Sequence, residues 1–216
     1  MDSMKKTITC IILAFFAITL FAQTEYDSML FDNSLLLKNG IYTSLKEVRS
    51  NTPKFPNCEL EIGAIQDKIN VDNLFYINSN NTRLKFEANL YATVINGRLF
   101  IFYKSQLNPI FLKAAISTFM IKEWVSVPAN DADRSTVGNG QIKITMYFLD
   151  YTSGVIAKVD KKTLEPIITR DPALSASFKK IKKDPDNKKS FPFISKYNAR
   201  HKVYVRTPHK TTISAE

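Results

Sequence analysis

The sequence predicts an α+β fold: a mainly antiparallel β-sheet or partly open, barrel-like β domain, with a short N-terminal helix and C-terminal amphipathic helices. Two observations carry this reading. Before residue 160, apolar and β-branched runs come in pairs separated by turn residues, which is the pattern of hairpins. Beyond it, apolar residues recur at i, i+4 and i+7, the spacing of one helix face. The chain thus divides into a signal peptide over 1–22, a β-rich domain over 23–160, and a basic helical segment over 161–216 that packs on it, with its last ten or so residues loose.

The leader has Lys5 and Lys6 ahead of a 14-residue apolar stretch, 8–21, followed by Ala22 and the polar Gln23. That is the layout of a secretory signal peptide cut after Ala22, and the stretch is shorter than the ~20 apolar residues of a membrane span. Export to the periplasm or cell surface is expected. Cys10 would leave with the leader, so Cys58 remains as a single thiol and no intramolecular disulfide is expected.

In the β-rich part, Ser44 and Glu47 form a capping-box pattern that opens a helix over 45–49, and Asn51-Thr52-Pro53 ends it. Residues 74–77 and 83–86 read as strands around an Asn-rich turn. The strongest hairpin is LYATVI-NG-RLFIFY, because Asn96-Gly97 suits the positive φ of a tight type I′ turn. Its second arm is nearly all apolar, as in a strand covered on both faces. Residues 111–124 leave helix and strand both open, since FLKAAI suits a helix and STFMIKEWV a strand. A last hairpin spans 143–159 and turns at Ser153-Gly154.

The helical segment starts with a short piece capped by Thr163. Asp171-Pro172 then opens a helix, since Asp caps it and Pro fits its first turn. Leu174, Phe178 and Ile181 form its apolar stripe, and Phe193, Ile194 and Tyr197 mark a second helix over 192–199.

The net charge of +10 is unevenly spread. Residues 23–157 hold 13 Lys/Arg and 13 Asp/Glu, whereas 158–210 hold 15 against five. The body is neutral and the excess lies in the C-terminal quarter, on Lys179, Lys180, Lys182, Lys183, Lys188, Lys189, Lys196, Arg200 and Lys202. These residues are the candidate contact with an anionic surface. Lysine dominates and aromatics are not interleaved as base-stacking platforms, which disfavours sequence-specific nucleic-acid reading.

No catalytic set stands out. Gly40-Ile41-Tyr42 matches half of a nuclease motif, but the Tyr-Ile-Gly partner that motif requires does not follow. The run from Asp131 begins like a calcium loop, yet Thr136 and Ile142 stand where Gly and Glu are needed. His201 and His209 lack a third zinc ligand nearby. Phosphate-cradling loops, the G-x-S-x-G elbow and H-E-x-x-H are all missing from the sequence. No cofactor, metal or catalytic residue is expected. Trp124 and the strand aromatics could line a ligand pocket, though such residues more often fill a core.

The ordered pieces GIYTSLKEVRSNTP, FYINSNNTRLKFEANLYATVINGRLFIFY, YFLDYTSGVIAKV and DPALSASFKKIKKDPDNKKSFPFISKYNARH span most of the chain after the leader. Together they resemble a broad group of uncharacterised secreted proteins of Bacteroidota-type bacteria. One departure is that the group's Trp-Gly-Tyr-type stretch reads Asn73-Leu74-Phe75-Tyr76 here. The resemblance implies export and supplies no activity, cofactor or catalytic residue to carry over. The expected function is an exported, non-catalytic envelope or surface protein that binds an anionic envelope component, a membrane surface or a protein partner. The alternatives are an exported hydrolase with a site assembled from scattered residues, or a small-ligand binder.

Overall fold

The computed structural model describes residues 26–63, 68–126, 140–182 and 184–208. The expected signal peptide, the loop beginning at Asp131, Lys183 and His209 lie outside these residues. In chain order the first elements are β1 (Tyr26–Leu30), β2 (Gly40–Tyr42), α1 (Leu45–Ser50), β3 (Phe55–Pro56), β4 (Glu59–Glu61), β5 (Phe75–Ile77) and β6 (Arg83–Lys85). Then come β7 (Ala92–Ile95), β8 (Arg98–Tyr103), β9 (Gln106–Leu112), β10 (Ile116–Ser126), β11 (Gly140–Asp150) and β12 (Ile156–Lys158). The last described elements are α2 (Lys161–Ile168), α3 (Pro172–Lys179), α4 (Phe191–Arg200) and β13 (Tyr204–Pro208).

The expected α+β class is the one the chain adopts. Eight antiparallel strands in the order β12-β11-β10-β9-β8-β7-β2-β3 form one sheet curled into a half-barrel. Tyr42 of β2 and Leu149 of β11, far apart in that order, belong to one core cluster with Val94, Leu99 and Ile101, which marks the inner face of the curl. Alternate residues point the other way. On one half of the outer face, Ile41, Phe100 and Leu107 pack with Leu60, Leu74 and Phe86 of the small sheet β4-β5-β6 and its flanks. On the other half, Ile116 and Phe148 pack under the three C-terminal helices. Strand β8 is therefore covered on both faces, as its sequence implied.

Local chemistry fixes the corners. Asn96 and Gly97 take φ of 50° and 73°, and a Cβ on Gly97 would stand 2.7 Å from Leu36 Cδ2. Ser44 accepts from the Glu47 amide at 3.4 Å, but the Glu47 carboxylate reaches one residue further back, to the Thr43 amide at 2.7 Å. Asn51 ends α1 in the left-handed region at φ 49°, and its side chain accepts from the Lys38 amide at 2.7 Å and the Tyr42 hydroxyl at 3.1 Å. Gly40-Ile41-Tyr42 is thus a fully buried strand beside a helix cap.

One open reading is decided and two expectations are corrected. FLKAAI is not helical: it ends β9, turns and starts β10, because the Ser117 hydroxyl closes the turn on the Ala114 amide and carbonyl at 3.1 and 2.9 Å. Thr163 is not the cap of α2. Asp160 is, accepting from the Thr163 amide at 2.8 Å, and Thr163 completes a capping box. The C-terminal segment is not helical throughout, since β13 pairs with β1 and buries Val205 in the inner core.

Candidate functional site: the basic C-terminal face

Helices α3 and α4 are held by their apolar stripes. Leu174 and Phe178 of α3, and Phe193, Ile194 and Tyr197 of α4, meet Ile116, Phe148, Leu164 and Ile168 in one cluster. Burying a side chain of this size contributes about 1.5–3 kcal/mol, so the inward face is strongly specified. The lysines occupy the remaining positions, and Lys179, Lys180, Lys182, Lys188, Lys189, Lys196, Arg200 and Lys202 are all exposed.

The structure gathers only part of this set. Lys180, Lys182 and Lys189 line one open depression of about 570 Å³ with Ser177 and Ile181. Lys188 faces a second depression, about 340 Å³, with Asp186, Phe191 and Met146, and lies 3.6 Å from the Asp186 carboxylate. The Lys196 ammonium sits 5.0 Å from the centre of the Phe193 ring, a cation–π contact. Arg200 is engaged within the fold: its Nε donates to the buried carboxylate of Asp171 at 2.5 Å.

Two aspartates hold this face in shape; the sequence marked Asp171 as a helix cap but not as a clamp, and it did not mark Asp184. Asp171 caps α3 through the Ala173 amide at 2.9 Å and takes both Arg200 and His201 Nε2, the latter at 2.9 Å. The start of α3 is thereby clamped to the end of α4. The Arg200 guanidinium first, then His201 and the Ala173 amide, outweigh burial and hold the Asp171 carboxyl at about 2. Asp184 folds the intervening loop by accepting from the Lys189 and Ser190 amides at 3.0 and 2.7 Å. Burial opposes its charge, but hydrogen bonds from Ser190 and the Lys189 amide, with the Lys189 ammonium, hold its carboxyl below the ordinary range.

The other candidates are less well equipped for chemistry. Cys58 is buried, its thiol directed at the Pro56 carbonyl at 3.5 Å, and burial pushes its pKa up. His201 is stacked on Tyr197, with ring centroids 4.1 Å apart, besides its bond to Asp171. Among the described residues, no three His, Cys, Asp or Glu side chains are grouped to hold a metal ion. Tyr103, Phe119 and Tyr147 pack on one another in the core rather than lining a cavity. Trp124 borders a broad cleft of about 830 Å³ with Lys104, Gln106 and Ile121, in which Glu123 is the one carboxylate among the described lining residues and is bound to Lys104 at 2.8 Å. No protein-family model, curated protein or solved structure matches this chain.

Proposed function

We propose that this chain is an exported, non-catalytic envelope or surface protein that binds an anionic surface through its basic C-terminal face. The observation that carries the reading is the division of charge. Residues 23–157 carry no net charge, the excess lies beyond them, and eight of its cations are exposed on α3, α4 and their flanking loops, whose opposite side is committed to packing. Among these cations, Lys180, Lys182 and Lys189 share a depression with no acid among its described lining residues. Ammonium groups attract a layer of negative charge without demanding one ligand geometry. Export is supported by the leader pattern and by the resemblance to secreted proteins of Bacteroidota-type bacteria, and the location that follows is the periplasm or cell surface. The absence of a catalytic role is supported by the occupied states of Asp171, His201 and Cys58.

Retention of the intact protein on a sulfated-polysaccharide column and on anionic vesicles, each across a salt series, tests the reading. Each lysine near such a surface contributes about 1 kcal/mol and is screened by salt. The K180E/K182E/K189E variant, whose changes are all on exposed side chains, should elute at much lower salt. Salt-independent retention, equal for both proteins, sinks the proposal.

A further inference from the structure

The hairpin of β10 and β11 outruns the strands that flank it. Strand β9 pairs with β10 at Thr118 and Phe119, across a register shift, and β12 pairs with β11 at residues 147–149. Beyond these points the two strands continue together as a ribbon, in register as far as Ser126 opposite Gly140. Residues directly opposite each other share a face. One face therefore carries Met120 opposite Met146, Lys122 opposite Ile144, and Trp124 opposite Ile142. It is the face that, nearer the body, buries Phe148 under the helices. Out on the ribbon none of the described elements covers it: Trp124 is 67% exposed, Ile142 60% and Ile144 57%. A contiguous apolar stripe of this sort on a polar surface marks an interaction site.

The stripe adjoins the basic loop. Met146 lines the same depression as Lys188 and the exposed Phe191, so apolar and cationic groups form one continuous surface. We infer that this surface inserts into anionic phospholipid bilayers. Trp124, Ile142 and Ile144 enter the boundary between headgroups and acyl chains, while Lys122 and Lys188 meet the phosphates. The inference rests on the anionic-surface reading above and deepens it by naming a bilayer as the surface. Charge complementarity selects this occupant. A second copy related by a two-fold axis would set the patch against itself, bringing Lys122 and Lys188 towards like charges, whereas the headgroup layer offers opposite charge. Tryptophan beside lysine also suits the bilayer interface, where an amphipathic ring and a snorkelling ammonium are both at home. Asp186, 3.6 Å from Lys188, tempers this charge without reversing it.

Trp124 is the sole tryptophan of the chain, so its fluorescence reports this one position. On vesicles containing phosphatidylglycerol, the emission should move to shorter wavelength and be quenched by lipids brominated along the acyl chains. Pure phosphatidylcholine vesicles should give a much smaller change. I142S and I144S should each weaken partition about tenfold, while V125S, on the opposite face of the ribbon, should leave it unchanged. Far-UV circular dichroism checks that these exposed substitutions keep the fold. If polysaccharide retention stays salt-sensitive but vesicle binding ignores I142S and I144S and leaves Trp124 unquenched, insertion is overturned while the electrostatic reading survives. If K180E/K182E/K189E changes neither retention nor vesicle binding, the electrostatic reading itself falls. An emission shift that grows with protein concentration without lipid would identify a second copy as the occupant and overturn the bilayer.

Discussion

The two ends of the β10–β11 hairpin are alike in composition and opposite in fate. At the base, Phe119, Ile121, Tyr147 and Phe148 are buried, some inside the half-barrel and some beneath the helices. At the far end, Trp124, Ile142 and Ile144 lie on the same two strands, in the same antiparallel register, and face solvent. Alternation along a strand fixes which face a side chain occupies. It does not decide whether a neighbouring element reaches far enough to cover that face. Here the covering stops with β9, β12 and the helices, and the apolar pattern runs past the point where they end.

Removing a large side chain at the base should have the greatest effect on stability. Phe148→Ala opens space among Ile116, Leu164 and Phe178, and should cost about 3–5 kcal/mol in denaturant unfolding. A cost near that of an exposed substitution would erase the distinction between base and ribbon.

Asn108→Ala comes next, because it probes the turn that brings β9 to the base. The Asn108 amide donates to the carbonyls of Ile101, Tyr103 and Gln106 at 3.3, 3.1 and 3.0 Å. Losing these three bonds should cost about 1–3 kcal/mol, with hydrogen exchange quickening first in β8 and β9.

The Asp171 clamp gives a smaller, pH-confined effect on the helices that roof the base. Its folded pKa of about 2 lies below the ordinary aspartate value of about 3.9, so its contribution is complete above about 4 and lost as pH falls towards 2. Acid unfolding followed from pH 5 to pH 2 should be steeper in the native protein than in D171N. Identical profiles would mean that the clamp forms no differential link to folding.

The smallest change is expected at the far end. I144S should shift unfolding stability by no more than about 0.5 kcal/mol, as exposed substitutions do. A loss of several kcal/mol there would show that the ribbon is packed in solution and would end the contrast.

Much of this architecture was legible because local chemistry agreed with the global fold. Asn96-Gly97 announced its hairpin, Asp171-Pro172 its helix, and Phe193, Ile194 and Tyr197 the buried side of α4. Strand β9 was hidden because its turn is made by Lys104 and Ser105, at φ 52° and 58°, residues that carry no turn signal. What secures that turn is Asn108, inside the following strand. For the site, spacing disclosed which lysines face outward. It could not disclose that Lys180, Lys182 and Lys189 converge while Arg200 is drawn to Asp171, since those relations depend on how α3 and α4 dock. The exposure of Trp124 was invisible for the same reason. It is set by where other strands stop.

The pairing of β1 with β13 bears on the order of events in folding. Tyr26 lies opposite Pro208 and Leu30 opposite Tyr204, so a ladder of a few residues closes a loop that holds nearly the whole described chain. Contacts so distant along the chain are slow to find, because the entropy of closure is lost before the pairing rewards it. Val205 is wholly buried beside Phe31 and Leu149, which makes this late arrival a wall of the inner core rather than a trim on its edge. A chain emerging residue by residue therefore holds an unfinished interior until β13 has appeared.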